Sequence, residues 1–174
     1  VKVVWANTWF DAAKEADAAK ALIDQGVDII TQHTDSTAPL QVAAERGIKA
    51  FGQATDMIAF GPETQLTAIV DDWGPYYIER IQALMDGTWE QVDVWGGMKE
   101  GHVVMAPYTN MPDDVKALAE EVEARIKSGE FNPYTGPINK QDGTPWLAEG
   151  EVAEDSFLLG LNFYVEGVDD QLPQ

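Results

Sequence analysis

Short apolar runs alternate with amphipathic stretches along the first half of the chain, and polar loops separate them. The apolar runs cover residues 2–6, 27–31, 48–52 and 65–70, a length typical of β-strands. Between them, apolar residues recur every three or four positions, as on one face of a helix, in 12–25, 40–46 and 75–85. This alternation predicts an α/β fold, with a parallel sheet and helices on both faces.

The ends of these helices are marked in the sequence. Asp11 is a good N-cap for the first helix, Pro39 and Pro75 open the next two, and Gly47 and Gly87 are natural stops. In the first helix the apolar stripe comprises Ala12, Ala16, Ala19 and Ile23, with Leu22 beside it. The charged residues Lys14, Glu15, Asp17 and Lys20 lie off that stripe.

After Gly87 the pattern is less regular. It predicts short strands at 92–95 and 102–106, a long helix at 113–128, hairpin arms at 135–138 and 141–144, and a short helix within 151–160. The tail from Tyr164 onward is expected to be extended and partly frayed. We divide the chain into a ligand-binding α/β lobe, residues 1–106, and an appended part, residues 107–174, which packs on the lobe or crosses to another lobe.

Composition excludes several classes of function. The chain has 174 residues, a net charge of −19 and no cysteine. The acidic charge argues against nucleic acid and anionic membrane surfaces as partners, because both need clustered Lys and Arg. Without cysteine there is no disulfide, thiolate metal site or cysteine nucleophile. No apolar run is long enough to span a membrane.

The polar loops that follow the predicted strands carry the candidate chemistry. The carboxyl ends of parallel strands meet at one rim of a sheet, where α/β proteins bind their ligands. Aromatic faces next to amides and carboxylates can stack a flat heterocycle and pair with its edges. The candidate ligand-binding residues at this rim are Asn7, Trp9, His33, Thr34, Asp35, Ser36, Gln53, Asp56, Asp71 and Trp73.

Other chemistries were weighed against simpler explanations. His33 with nearby carboxylates has no compact metal-binding spacing, and Ser36 lacks the elbow motif of a hydrolase nucleophile. Gly96 and Gly97 before Lys99 do not have the spacing of a phosphate loop, so a turn explains them better. We therefore expect no metal, cofactor or catalytic residue. The alternative left open is a small hydrolase-like enzyme that uses His33, Asp35 and Asp56.

Several strings of residues together resemble the basic membrane protein family, the substrate-binding proteins of ABC transporters that recognise purine nucleosides in many cases. They include NTWFD at 7–11, LIDQGVDII at 22–30, TQHTDS at 31–36, FGQ at 51–53, WGPYY at 73–77, YTGPI at 134–138 and YVEGV at 164–168. The resemblance implies one lobe of a type I periplasmic-binding-protein fold, with the ligand held between two lobes. Family members are about twice as long, so this chain looks like the C-terminal half.

The resemblance also implies roles for single residues. Trp9 matches an aromatic position that stacks on or borders the ligand, and Asp56 matches an acid that binds ribose hydroxyls. Two departures from the family pattern, the loop from His33 to Ser36 and the residue Asp71, leave a purine base as an alternative to a nucleoside. The implied partner is an ABC permease, and the implied location is periplasmic or extracytoplasmic, with a lipid anchor in the intact protein. Surfaces left open by a missing lobe could mediate a dimer.

Overall fold

A computed structural model describes residues 1–173, which form a four-stranded sheet, helices between and after its strands, and a small two-stranded hairpin. The sheet contains β1 (Ile29–Ile30), β2 (Lys49–Ala54), β3 (Gln65–Asp71) and β4 (Val103–Met105), in that spatial order. The first three strands run parallel and β4 runs antiparallel to β3. The predicted α/β fold with a parallel sheet is therefore confirmed, with one antiparallel strand added at its edge.

The remaining elements alternate with these strands or follow them. The helices are α1 (Ala12–Asp24), α2 (Ala38–Arg46), α3 (Gly74–Asp86), α4 (Asp113–Ser128) and the short α5 (Asp155–Leu158), with a 3-10 turn at Ile58–Phe60. The hairpin pairs β5 (Ile138–Asn139) with β6 (Pro145–Leu147). Within residues 1–173 no helix combines the length and hydrophobicity needed to cross a membrane.

Local signals explain where the helices begin and end. The Asp11 side chain accepts a hydrogen bond from the backbone N–H of Lys14 at 3.1 Å, which caps the free end of α1. Helices α2 and α3 each have a proline in the first turn and end at a glycine in the left-handed region, Gly47 with φ 71° and Gly87 with φ 69°. An L-residue at either glycine would be strained, so these two stops are set by the sequence.

The main core lies where α1 and α2 pack on each other and α2 packs on β1 and β2. Its buried residues are Ile30, Leu40, Ala43, Ala50 and Met57, with Leu22, Ile23, Val27 and Ile48 packed around them. Two of the five buried residues are alanines, and small side chains let a helix approach a strand closely. The core therefore fixes the β1 and β2 end of the sheet, where Gln53 lies near the end of β2 and His33 lies in the loop after β1.

Two predicted strands do not form. Residues 2–6 and residues 92–95 are assigned neither helix nor strand. The predicted strand at 27–31 is shortened to Ile29–Ile30. An apolar pattern gives a segment the side chains of a strand, but a strand also needs a neighbour for its backbone groups.

The C-terminal part is held more firmly than the sequence suggested. The hairpin forms, but its arms lie a few residues later than predicted, at 138–139 and 145–147. The backbone N–H of Gln141 donates to Tyr164 O at 2.8 Å, and that of Asp169 donates to Val1 O at 2.8 Å. The expectation of a frayed tail is therefore wrong at Tyr164 and Asp169, because backbone hydrogen bonds tie both to the rest of the chain.

The surface of the molecule is large for its mass. The accessible area is 11395 Å², whereas a compact monomer of this mass exposes about 8,400 Å². Helices α3 and α4 bury no residue fully. Large apolar side chains stand exposed along α3, namely Tyr77, Ile78, Ile81, Leu84 and Met85.

Candidate functional site

The buried carboxylate of Glu15 joins the first helix to the loop after β1. One carboxylate oxygen, Oε1, accepts from the backbone N–H of Asp11 at 2.8 Å. The other, Oε2, accepts from the Ser36 hydroxyl at 2.6 Å and from the Ser36 backbone N–H at 3.2 Å. Glu15 is only 1% exposed. The carboxylate therefore fixes the loop before α1 and the loop before α2 relative to each other.

The hydrogen bonds to Glu15 also set its charge state. Burial alone would raise the pKa of the carboxyl, but the bonds from Ser36, Asp11 and Thr34 together outweigh it and lower the pKa below its ordinary value. A carboxylate that accepts several hydrogen bonds is stabilised in its charged form. Glu15 is thus a satisfied anion in the protein interior.

Sequence analysis missed Glu15, because it was grouped with the charged residues off the apolar stripe of α1. The spacing held a usable signal. Glu15 lies four positions before Ala19, which is buried, and seven before Leu22, which is half-buried. Residues at these spacings share one helix face. A carboxylate on that face, close to the N-cap Asp11, therefore indicates a buried capping group.

Trp9, His33 and Gln53 form the aromatic and polar part of the rim. The rings of Trp9 and His33 meet edge to face, with centroids 6.0 Å apart and an interplanar angle of 66°. His33 Nδ1 lies 3.1 Å from Gln53 Nε2. The Trp9 side chain is 71% exposed. Most of the indole ring is therefore open to a stacking partner.

Further bonds give the loop after β1 a defined shape. The backbone N–H of Asp35 donates to Trp9 O at 2.9 Å. Gln32 Nε2 donates to the carbonyl oxygens of Thr34 and Ser36, each at 2.7 Å. These bonds satisfy the loop backbone from within, so the side chains of Thr34 and Asp35 are held in place at the rim.

Asp56 lies after β2 in a strained turn. Ala54 has a φ of 59°, and the backbone N–H of Thr55 donates to Gln53 O at 2.7 Å. The turn brings Asp56 Oδ1 to the backbone N–H of Ile58 at 3.1 Å and to Gln65 Nε2 at 2.7 Å. A left-handed alanine costs about 1–2 kcal/mol, and such strain is concentrated at functional sites.

Asp71 is the last residue of β3, and Trp73 belongs to a separate aromatic cluster after that strand. The Trp73 ring stacks on His102 with centroids 5.7 Å apart, and it meets Tyr76 edge to face at 5.6 Å. Asp72 Oδ1 accepts from the backbone N–H of Gly74 at 3.1 Å, whereas Asp71 is exposed. Asp72 therefore supports the start of α3, and Asp71 faces solvent.

The structure therefore brings together six of the ten predicted ligand-binding residues. Direct contacts or bonds to a shared partner join Trp9, His33, Thr34, Asp35, Ser36 and Gln53. In residues 1–173 no hydrogen bond links Asp56, Asp71 or Trp73 to this group. We refer to the six as the Trp9 cluster. The ligand-binding role of all ten stays a prediction.

A cavity of about 670 Å³ opens beside the Trp9 cluster. Its volume falls in the range of small-molecule sites. Asn7, Trp9, His33 and Thr34 line it together with apolar residues of the N-terminal segment, α1 and β1. Asn7 itself has a φ of 51°, a left-handed conformation that asparagine tolerates.

The geometry does not favour hydrolytic chemistry. Ser36 is 4% exposed and its hydroxyl donates to Glu15, so it is neither accessible to a substrate nor paired with an imidazole. The Nδ1 of His33 contacts Gln53 and not a carboxylate. Across residues 1–173 no three His, Asp or Glu side chains are grouped closely enough to hold a metal ion.

Known proteins similar to this chain include substrate-binding proteins of ABC transporters. A family model described as ABC transporter substrate-binding protein, PnrA-like, matches residues 1–134. A purine-binding protein of Brucella abortus is 74% identical over 174 residues, which are 100% of this chain and 50% of that protein. A putative ABC transporter glucose-binding protein of Haloferax volcanii is 33% identical over 174 residues, which are 99% of this chain and 42% of that protein. The chain thus spans about half the length of these curated relatives.

Solved structures agree on the fold. A solute-binding protein of an ABC transporter system from Aeropyrum pernix superposes with a TM-score of 0.57 at 17% identity, covering 79% of this chain and 46% of that chain. A solute-binding protein of an ABC transporter system from Conexibacter woesei gives a TM-score of 0.56 at 24% identity. The match covers 74% of this chain and 44% of that chain. At these identities the likeness concerns the fold alone, which is that of one periplasmic-binding-protein lobe, as predicted.

The family match covers most of the chain, and its members bind solutes and are not enzymes, so the hydrolase-like alternative built on His33, Asp35 and Asp56 is set aside. The chain belongs to the Bmp family of PnrA-like ABC transporter substrate-binding proteins.

Proposed function

We propose that this chain forms one wall of the ligand cleft in the solute-binding component of an ABC importer, and that the ligand is a purine base or nucleoside. The observation that carries the proposal is the Trp9 cluster, in which an exposed indole ring stands next to fixed polar groups. Such a component works outside the cytoplasm and hands its ligand to a permease in the membrane. Its second wall comes from another lobe, which closes over the ligand.

The free groups of the cluster match the chemistry of a purine. A purine is flat and aromatic, so it can stack on the exposed ring of Trp9. Its ring nitrogens and exocyclic groups need donors and acceptors in one plane. His33 and Asp35 are exposed, whereas Gln53 is buried and contacts His33 from within. These side chains supply both kinds of group.

Asp56 bears on the choice between base and nucleoside. Its Oδ1 already accepts from Ile58 N and Gln65 Nε2, so Oδ2 is the oxygen that we assign to a ligand hydroxyl. A carboxylate that offers one oxygen to a ribose gains less than one that offers both. We therefore propose that Asp56 contributes a moderate preference for nucleoside over base. The Brucella relative, named as purine-binding, supports the ligand class.

Calorimetric titration with adenine, hypoxanthine, adenosine, inosine and glucose tests the proposal. The titrated proteins are this chain and a chimera, in which the chain replaces the matched segment of the Brucella relative. We expect the chimera to bind a purine and the chain alone to bind it far more weakly. Trp9→Ala should weaken binding by about 10-fold or more, since stacking a base contributes about 1–3 kcal/mol.

Trp89→Ala is the matched control, because Trp89 is exposed but lies on Arg80, away from the Trp9 cluster. It should leave purine affinity unchanged. Binding of glucose with no binding of any purine would overturn the ligand class. Equal loss of affinity in both tryptophan variants would overturn the role of the Trp9 cluster.

A further inference from the structure

The Trp9 cluster draws most of its side chains from two separate loops. Trp9 belongs to the loop before α1, whereas His33, Thr34, Asp35 and Ser36 belong to the loop between β1 and α2. Within residues 1–173 one hydrogen bond joins the two loops directly, from the backbone N–H of Asp35 to Trp9 O at 2.9 Å. A single bond of this kind adds little net stability, so a second connection is needed to hold the loops in a fixed arrangement.

The buried carboxylate of Glu15 supplies that connection. It accepts from the backbone N–H of Asp11 on one side and from the hydroxyl and backbone N–H of Ser36 on the other. The Ser36 hydroxyl in turn accepts from the backbone N–H of Ala38, the first residue of α2, at 3.3 Å. One side chain therefore connects the loop before α1, the loop after β1 and the start of α2.

Only a charged carboxylate satisfies all of these donors. Both oxygens of Glu15 accept hydrogen bonds, and two of the three donors are backbone N–H groups that cannot reverse their role. An amide at this position would present a donor to one of them. Because Glu15 is 1% exposed, solvent does not replace an acceptor that is lost.

We propose that Glu15 is a positioning residue of the ligand site, whose carboxylate sets the location of the Trp9 ring relative to His33 and Asp35. It acts through Asp11 and Ser36 and not by touching the ligand. The consequence for ligand affinity rests on the proposed function, but the consequence for the Trp9 ring does not. Protonation of Glu15 should therefore release the Trp9 loop and weaken binding in acid.

The direction of this pH dependence follows from the surroundings of Glu15. Burial raises the pKa of Glu15, but the hydrogen bonds from Ser36 and Asp11 outweigh it and hold the pKa below 4.5, so the bridge is intact at neutral pH. The charged and titratable residues on the surrounding elements are Lys2 in the N-terminal segment, Asp11 and Lys14 at the start of α1, His33 and Asp35 in the loop after β1, and Glu45 and Arg46 at the end of α2. Since His33 contacts the Trp9 ring, its titration needs a separate control.

Fluorine NMR of the chain labelled with fluorotryptophan tests the positioning role without a ligand. The chain has six tryptophans, and Trp9→Phe identifies the Trp9 signal by its disappearance. At pH 7, Glu15→Gln should shift or broaden the Trp9 signal and leave those of Trp89 and Trp146, which contact other parts of the chain, in place. Glu45→Gln is the matched control, because Glu45 is exposed on α2, and it should leave all six signals unchanged.

An acid titration gives the second readout. Between pH 7 and pH 3 the Trp9 signal of the wild type should move toward its position in Glu15→Gln, and Glu15→Gln itself should lack this step. The titration is repeated with His33→Gln, because the imidazole next to Trp9 also takes up protons. The step should persist in that variant.

Titration of the same labelled proteins with adenine at pH 7 measures the consequence for binding. The Trp9 signal reports this binding even when the affinity is as weak as about 1 mM. Glu15→Gln should weaken adenine binding by about 10-fold, and Ser36→Ala, which removes one donor to the carboxylate, by about 3-fold. If adenine did not move the Trp9 signal of the wild type, the proposed function would fail for this chain, while the spectra without ligand would still decide the role of Glu15.

An unchanged Trp9 signal in Glu15→Gln would overturn the positioning role. So would an acid step that survives in Glu15→Gln and disappears in His33→Gln, since it would belong to the imidazole. If Glu15→Gln altered all six signals alike, through general loss of structure, Ser36→Ala would decide. In Ser36→Ala the Trp9 signal should change while those of Trp89 and Trp146 stay, and no change at Trp9 would equally overturn the role.

Discussion

Helices α2 and α3 have the same terminal signals but opposite surroundings. Each has a proline in its first turn and ends at a left-handed glycine. In α2 the residues Pro39, Leu40, Val42 and Ala43 are buried, whereas in α3 none of the 13 residues is. The apolar face of α3, with Ile78, Ile81 and Leu84 among its exposed residues, points away from the described core.

The difference separates two kinds of information in a sequence. Caps and stops act through the backbone of one or two residues, so they define a helix wherever it lies. Burial depends on what the helix packs against, and an apolar stripe shows only that something covers it in the working protein. Large exposed apolar patches commonly mark interaction surfaces, so we expect the apolar face of α3 to be one.

Truncating Leu40 should have the largest effect on stability, because Leu40 belongs to the buried face of α2. Leu40 is 0% exposed in the core between α2 and the sheet. Leu40→Ala should lower the free energy of unfolding by about 3 kcal/mol, through lost burial and the cavity left behind. Urea unfolding followed by circular dichroism measures the change. A loss below about 1 kcal/mol would mean that this core relaxes freely.

Neutralising Glu15 tests how much its buried hydrogen bonds contribute to the stability of the packed region. Glu15→Gln should lower the free energy of unfolding at pH 7 by about 2 kcal/mol, because the hydrogen bonds from Ser36 and Asp11 lose a charged acceptor. The pKa of Glu15 is lowered in the folded protein from 4.5. Its contribution is therefore complete above the unfolded-state value and disappears as the pH falls through the folded-state value.

Unfolding of the wild type and of Glu15→Gln, measured from pH 7 down to pH 3, checks this sign. The stability difference between them should shrink as the solution becomes acidic. Glu45→Gln is the control, because Glu45 is exposed on α2 and should show a small difference at every pH. A Glu15 difference that is constant with pH would show that the side chain acts by its shape alone.

Tyr108 tests the contact of helix α4 with the rest of the chain. Like α3, α4 has no fully buried residue. The Tyr108 hydroxyl donates to Glu123 of α4 at 3.0 Å. Burial, followed by the bond and the negative charge of Glu123, raises the pKa of Tyr108 to about 12. The neutral form is thus favoured on folding, and that stabilisation is lost as the pH rises from 10.0 through the folded-state value.

Tyr108→Phe should lower the free energy of unfolding by about 1 kcal/mol at pH 7. In an absorbance titration of the tyrosines it should also remove the component that ionises at about pH 12. Tyr134→Phe serves as control, because Tyr134 is exposed. If Tyr108→Phe left that component in place, the bond between Tyr108 and Glu123 would be absent in solution.

Truncating Leu84 should have the smallest effect and would sharpen the comparison. Leu84 is 67% exposed on α3. Leu84→Ala should change the free energy of unfolding of this chain by less than about 0.5 kcal/mol, since little burial is lost and alanine favours a helix. Urea unfolding measures it beside Leu40→Ala. Similar losses for the two leucines would show that α3 is covered in solution, for instance by a second copy.

Much of the fold could be predicted from the sequence because its signals are local. The extents of α2, α3 and α4 follow from proline, glycine and apolar spacing, and β2 and β3 follow from short apolar runs. The absence of a strand at 2–6 could not be predicted in the same way. Its residues have the pattern of a strand, but pairing depends on a second segment whose position no local pattern specifies.

The candidate site was predictable to a similar degree. Topology alone predicts that loops after parallel strands share a rim, and this rim contains His33 and Gln53 in contact. The burial of Glu15 and the separation of Asp56 from the Trp9 cluster were not predicted. Both depend on side-chain bonds between distant residues, Glu15 with Ser36 and Asp56 with Gln65, which no local pattern specifies.

The exposed apolar face of α3 also governs how the isolated chain behaves at different salt concentrations. With a net charge of −19, copies repel one another when few ions are present. At about 1 M ionic strength the screening length falls to about 3 Å, and this repulsion no longer separates neighbouring surfaces. The attraction between apolar faces then dominates. The isolated chain should therefore stay monomeric in dilute buffer and self-associate as salt is added, the reverse of a contact held by ion pairs.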